Sequence, residues 1–350
     1  MDMALEIAAT LVAQVQKPTL AFLIGGMVLA AMGSKLEVPE PVYKFIVLVL
    51  LLKVGLSAGI SVREADLWAL AVPALLAALL GVVIVLIGGR ALAAFRGVSR
   101  MDAMATAGLF GAVSASTLAA GMVMLDAEGI AYEGFIGALY PFMDIAALVT
   151  AIVLARMSAA RRLAAAPAGG GVATVAMGTG TGGDGAMVKG ILTDTLKSPA
   201  ISALLLGLGI GLLGRPESVY DSFYEPLFRG LLSILMLIMG IEAWQRLGEM
   251  RKVAHAYVAY GIAAPLLHGA LGFGAGLLAH ELTGFSAGGV VLLAVMAASS
   301  SDISGPPTLR GALPEANPSA YVGTSTGLGT PVAILSIPLW IALADLVIGV

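Results

Sequence analysis

Asp302 stands in the run Ala297-Ala298-Ser299-Ser300-Ser301-Asp302-Ile303-Ser304-Gly305-Pro306-Pro307-Thr308, with four serines around it. A carboxylate among hydroxyls is an oxygen-rich, flexible donor set. It suits a hard monovalent cation such as Na+ better than a transition metal. Pro306 and Pro307 remove two N–H groups and push the preceding turn out of helical geometry. Carbonyls freed in this way inside an apolar environment must be met by protein, water or an ion. A helix half whose N-terminus points into the break offers N–H groups and a positive dipole end to an anion. The run thus carries donors for a cation and an anion side by side. The bland alternative is a proline-kinked helix whose small residues serve close packing.

A second run of small and hydroxyl residues, Gly108-Leu109-Phe110-Gly111-Ala112-Val113-Ser114-Ala115-Ser116-Thr117-Leu118-Ala119-Ala120, has the same character without prolines. Asp144 follows Tyr140-Pro141-Phe142-Met143, so it either joins the site or caps a proline break. Lys53 and Glu242 are further charges within apolar runs, and a contact between them is conceivable. Intramembrane charges are functional candidates by default; snorkelling for Glu242 and a structural ion pair for Lys53 are the simpler readings. His255, His268 and His280 share one apolar run without a metal-ligand spacing.

The elements that must position these residues are membrane helices. Of the 350 residues, 59 % are hydrophobic and only 12 % charged. A soluble chain of this length needs far more polar surface, so a soluble enzyme, a nucleic-acid binder and a disordered chain are excluded. The net charge of −3 implies no polyanionic partner, and zero cysteines exclude disulfides and thiol chemistry. No phosphate loop follows a predicted strand, so no ATP motor is expected, and no cofactor. Apolar runs predict ten spans, over 18–34, 42–60, 67–94, 102–125, 134–157, 198–214, 226–244, 254–280, 287–308 and 320–347. Residues 1–16, with Asp2, Glu6, Gln14 and Gln16, read as an interfacial helix. No basic stretch precedes the first apolar run, so the first span is expected to be retained.

One set of connections carries Lys35, Arg90, Arg96, Arg100, Arg156, Arg161, Arg162, Lys189, Lys197, Arg246, Arg251, Lys252 and Arg310. The opposite set carries only Lys17, Arg63 and Arg215. The positive-inside rule then puts both termini outside and the Gly/Ala/Thr-rich linker 158–197 in the cytoplasm. This predicts an inner-membrane, multi-pass protein with five-helix halves at 1–157 and 198–350. The halves match weakly. Pro18 and Gly33 pair with Pro199 and Gly214, Gly55 with Gly240, Pro73 with Pro265, and Gly137 and Pro141 with Gly327 and Pro331. Five spans per half make the repeats inverted, as secondary transporters are built.

The segments PTLAFLIGGMVLAAMG (18–33), GLFGAVSASTLAA (108–120), GALYPFMDI (137–145), RPESVYDSFYEPLFRGLLSILMLIMGIEAW (215–244) and AASSSDISGPPTLRGALPEANPSAYVG (297–323) resemble the cyanobacterial-type sodium-dependent bicarbonate transporters, the SbtA family. The resemblance spans the chain apart from the linker. It implies Na+-coupled bicarbonate uptake, a 5+5 inverted-repeat fold with core and gate subdomains, and a homotrimer. It also implies a cytosolic PII-like regulator of the SbtB type. The family's discontinuous helices map onto Gly111–Thr117 and Ser299–Thr308, which makes Gly111, Ser114, Ser116, Thr117, Ser300, Ser301, Ser304 and Thr308 the expected bicarbonate ligands. Asp302, Ser299 and Asp144 are the expected sodium ligands. Ala115 and Ala146 depart from the family pattern, where glycine and proline are expected, and the linker is shorter.

Bicarbonate is a small oxyanion that hydroxyls and backbone N–H groups can bind without a buried arginine. A co-bound Na+ supplies the positive charge and makes anion affinity depend on sodium. The competing readings are a cation/proton antiporter using Asp144 and Asp302, or a carrier of another small monovalent anion. A membrane hydrolase would need a histidine or lysine beside its serine, and none is so placed.

Overall fold

The computed structural model describes residues 18–64, 67–165, 199–250, 255–302 and 305–349, together with Thr193 and Lys197. The interfacial helix expected at 1–16, Ser304 and residues 166–192 and 194–196 of the linker lie outside the described residues; residues 158–165, expected to begin the linker, are instead the last two turns of a helix that ends at Ala165. Among those described, all regular structure is helical. In chain order the helices are α1 Pro18–Ala31, α2 Glu40–Glu64, α3 Leu67–Ala93, α4 Arg100–Gly111, α5 Ala115–Glu128, α6 Tyr140–Ala165 and α7 Pro199–Leu213. They continue as α8 Glu225–Met250, α9 His255–Thr283, α10 Ala287–Ala298, α11 Gly305–Ala312, α12 Pro318–Val322 and α13 Thr330–Val347. Three irregular turns interrupt them: 3-10 helix at Gly134–Leu139 and π-helix at Tyr220–Tyr224 and Gly323–Gly329.

Among the described residues, seven helical stretches are long and apolar enough to cross a membrane. Ten spans were expected; at the other three places stand shorter apolar helices, Ala21–Ala31, Ser202–Leu213 and Ala287–Ala298. At about 1.5 Å per residue such helices fall short of a hydrocarbon layer of about 30 Å. In α10 the reason is local, since the helix stops at Ser299.

The broken helices lie innermost. Within Arg100–Glu128 the span window is 94 % buried, against 39 % for Trp68–Ala93. Every residue of α10 from Gly288 onward is buried as well. Trp68, Leu75, Leu79 and Ile87 of α3 are exposed, as suits a lipid-facing helix. The most extensive helix contacts are α2 on α7, then α10 on α9 and α1 on α8. Glycines let these backbones touch. A Cβ on Gly55 would lie 2.2 Å from the Leu204 carbonyl oxygen, and one on Gly207 would lie 2.6 Å from that of Leu52. Gly59 and Gly211 repeat the contact one turn on, so α2 and α7 cross through two facing GxxxG motifs. Gly26 of α1 and Gly240 of α8 meet in the same way.

Candidate functional site

Both predicted breaks form, and they meet. Helix α4 ends at Gly111, and the chain runs extended through Ala112 (φ −92°, ψ 154°) to Ser114 (φ −91°, ψ 120°), which starts α5. Helix α10 ends at Ala298, and Ser299 is likewise extended (φ −71°, ψ 171°). The backbones of the two breaks are joined directly, for Ser301 N–H donates to the Leu109 carbonyl at 2.8 Å. Ser114 N–H donates to Ser299 Oγ at 2.9 Å. Non-helical backbone at membrane depth is tolerated when protein meets its polar groups in this way.

Asp302 lies at the centre. Its Oδ2 accepts from Ser116 Oγ at 2.7 Å and from Ser114 Oγ at 3.2 Å. Ser114 Oγ also caps α5, accepting from Thr117 N–H at 3.1 Å and from Thr117 Oγ1 at 3.0 Å. The carboxylate therefore sits over the N-terminus of α5, where the dipole favours negative charge. Its other oxygen, Oδ1, is buried and has no hydrogen-bond partner among the described residues. A buried carboxylate oxygen without a donor is costly, and a cation beside it would remove that cost.

Each remaining candidate has a definite place. Ser299 Oγ donates to the Met296 carbonyl at 2.7 Å, closing α10. Ser301 Oγ accepts from Gly305 N–H at 2.9 Å at the entry to α11. Thr308 lies half-buried within α11. Asp144, fully buried near the start of α6, accepts from Val113 N–H at 3.1 Å and so pins the first break from the side of α6. Gly111 faces packing neighbours, because a Cβ there would meet Gly81 O and Val85 Cγ2, each at 2.9 Å. Any part it takes in ligand binding is through its backbone.

Two residues escaped the sequence reading. Ser325 Oγ donates to Ser300 Oγ at 2.9 Å and to the Ser301 carbonyl at 3.2 Å, and Thr330 Oγ1 lies 3.4 Å from Ser300 Oγ. Both belong to the segment Gly323-Thr324-Ser325-Thr326-Gly327-Leu328-Gly329-Thr330, a hydroxyl-rich run inside an apolar span that winds as π-helix before α13. Its hydroxyls and its place just before Pro331 were the available signal. π-Helical turns often occur where a helix is distorted for function.

Around the cluster, Ser114, Ser116, Thr117 and Ser299 to Ser301 are all buried. Beside Ser116 a gap of about 10 Å³ is lined by Val47, Leu50, Leu51 and Val54 of α2, Ala115 and Ala119 of α5, and Leu235 of α8. It has room for no more than a water molecule, so α2 and α8 close the cluster on that side.

Lys53 does not meet Glu242. Its Nζ pairs with Glu225 Oε2 at 3.0 Å and lies over the Phe228 ring, 4.2 Å from the centroid. Glu242 follows Glu225 by 17 residues on α8, about 25 Å along a helix. Lys53 meets the early turns of α8 because α2 and α8 cross near that end.

The arrangement offers a cation an orphaned carboxylate oxygen and an anion the N-terminal end of α5; at the start of α11 the Gly305 N–H is taken by Ser301 Oγ, and Pro306 and Pro307 carry none. Among the described residues no group of three His, Cys, Asp or Glu could hold a metal ion, so any bound cation relies largely on neutral oxygens. The family model described as the Na+-dependent bicarbonate transporter superfamily matches residues 18–345. A comparison with curated proteins gives no match.

Proposed function

The chain belongs to the Na+-dependent bicarbonate transporter superfamily, and from that membership we propose that it imports bicarbonate by symport with Na+, through alternating access at the crossing of the two helix breaks. The observation that carries this reading is the orphaned Oδ1 of Asp302, whose carboxylate lies over the N-terminus of α5. Asp302, with neighbouring hydroxyl and carbonyl oxygens, holds Na+. Bicarbonate lies at the N-terminal end of α5, within reach of Ser114, Ser116, Thr117, Ser300 and Ser301. Sodium neutralises Asp302, so the anion enters only once the cation is bound. Anion affinity and sodium affinity are then reciprocally coupled.

Three observations support two inverted repeats with a gate of α1, α2, α7 and α8 around a core of α3–α6 and α9–α13. The exchanged pairs α1–α8 and α2–α7 each join the first helix of one half to the second helix of the other. Pro73 and Pro265 both fall inside long helices. Gly137 and Gly327 both fall in irregular turns ahead of a helix whose second residue is a proline, Pro141 or Pro331. A homotrimer and a PII-like cytosolic regulator complete the proposed assembly at the cytoplasmic membrane, both by resemblance to the SbtA family.

The test is uptake of labelled bicarbonate into proteoliposomes with and without an inward sodium gradient. Sodium-dependent accumulation is expected from the native protein. Asp302→Asn should lose the sodium dependence while retaining its helical signature and detergent elution profile. Uptake that ignores sodium, or Asp302→Asn with unchanged sodium dependence, overturns the reading. A proton gradient that drives transport without bicarbonate would favour the antiporter.

A further inference from the structure

A cavity lies away from this site. About 750 Å³ in volume, it is bounded by Leu86, Gly89, Arg90, Ala93 and Ala94 at the end of α3, by Arg100 and Met104 at the start of α4, and by Leu154, Met157 and Ser158 in α6. Arg90 and Arg100 are both exposed, and neither forms an ion pair among the described residues. Arg90 Nη1 reaches only the Leu86 carbonyl of its own helix, at 3.3 Å. The rest of the lining is apolar apart from the Ser158 hydroxyl, which bonds the Ala155 carbonyl at 2.7 Å. Arg90 and Arg100, with Arg96 between them and Arg156 in the same stretch of α6, belong to the basic connections that the positive-inside rule puts in the cytoplasm.

Two unpaired guanidinium groups above an apolar hollow, at the level where spans leave the bilayer, match one ligand in both halves. We propose that this cavity binds a phospholipid with an anionic headgroup, its phosphate between Arg90 and Arg100 and the first part of an acyl chain against Leu86, Met104 and Leu154. Guanidinium forks are matched to phosphate. A basic hollow between membrane helices on the cytoplasmic side is where anionic lipid headgroups bind. A free phosphate would use the arginines and leave the apolar lining empty; an acyl chain uses both. Because the cavity joins α3, α4 and α6, a bound lipid would fasten the outer helix α3 to the first broken helix.

Native mass spectrometry of the detergent-purified full chain tests this, with phosphatidylglycerol and phosphatidylcholine as probes and inorganic phosphate as competitor. Wild-type protein should retain phosphatidylglycerol in preference to phosphatidylcholine. At the strength of a basic residue near an anionic headgroup, the pair Arg90→Gln and Arg100→Gln should lower that retention by about tenfold or more. Ala94→Trp, which fills the hollow without touching charge, should lower it too. Arg96→Gln, in the same loop but outside the cavity, should leave it unchanged. Equal retention of the two lipids overturns the proposal. So does an unchanged double variant, or displacement by inorganic phosphate in the millimolar range with Ala94→Trp silent. Wild-type protein without phosphatidylglycerol adducts would leave the cavity to a chain segment or a soluble partner, and also overturns it. Should the double variant fail to fold, Ala94→Trp decides alone, loss supporting the lipid and full retention refuting it.

Discussion

Asp302 has two oxygens with opposite circumstances: Oδ2 takes two hydroxyl donors and Oδ1 takes none. That asymmetry, rather than the mere presence of a buried acid, makes it the residue to which sodium coupling is assigned. Ser325 belongs in the same argument. Its hydroxyl holds both Ser300 and the Ser301 carbonyl, so it fixes the backbone from which Asp302 projects. Removing one such neutral hydrogen bond costs about 1 kcal/mol. Ser325→Ala should therefore weaken sodium-dependent uptake by about fivefold while leaving the melting temperature nearly unchanged. Uptake rates across a sodium titration check this, and a variant with native sodium dependence would remove Ser325 from the site.

At the scale of elements, glycines decide which helices touch. Gly55→Leu places a side chain on the Leu204 carbonyl at the α2–α7 crossing, where nothing flexible can yield. Overpacking of this kind costs about 1–3 kcal/mol or more. The variant should melt well below wild type in detergent. Gly230→Ala, with open space around it, should melt at or slightly above the native temperature because alanine favours the helix. The Lys53–Glu225 pair, which ties α2 to α8, makes an asymmetric prediction. The Lys53 side chain is 6 % exposed and that of Glu225 is 50 %. Glu225→Gln leaves a buried ammonium without its carboxylate, at about 3 kcal/mol. Lys53→Met leaves a carboxylate that water can solvate, at about 1 kcal/mol or less. Thermal melts should rank wild type above Lys53→Met above Glu225→Gln; the reverse order would show that the pair is not what stabilises Lys53.

For the whole molecule, charge sets sidedness and crossing sets the site. The connection 94–99 carries Arg96, and the turn before α8 carries Asp221. With no native cysteine to interfere, single Arg96→Cys and Asp221→Cys variants report orientation directly. An impermeant maleimide added to intact cells should label the cysteine at 221 and spare that at 96 until the membrane is opened. The opposite pattern would invert the positive-inside assignment.

Much of this was legible beforehand because its signals are local. Composition alone demanded a membrane protein, since 12 % charged residues cannot cover a soluble core. Pro306, Pro307 and the serine run announced the second break. The hydroxyl-rich run at 108–120 carries no proline, so its residues alone also fit a packing surface; the family resemblance marked a break there, and the contact of Ser114 with Ser299 showed that it meets the other. Pairings between residues nearly 200 positions apart depend on how helices cross, and no periodicity encodes that. Hence Lys53 found Glu225 instead of Glu242, and even across 25 to 30 residues it took the packing of the π-helical turn to bring Ser325 and Thr330 to Ser300. The sequence by itself determined that helices span a bilayer and that one of them breaks beside Asp302, because those are properties of short apolar, proline and hydroxyl patterns, while the break at Gly111–Thr117 was marked by family resemblance. The tertiary structure alone decided that two breaks cross and bond each other. It also left one oxygen of Asp302 unmet, because burial and partnership exist only once distant helices pack.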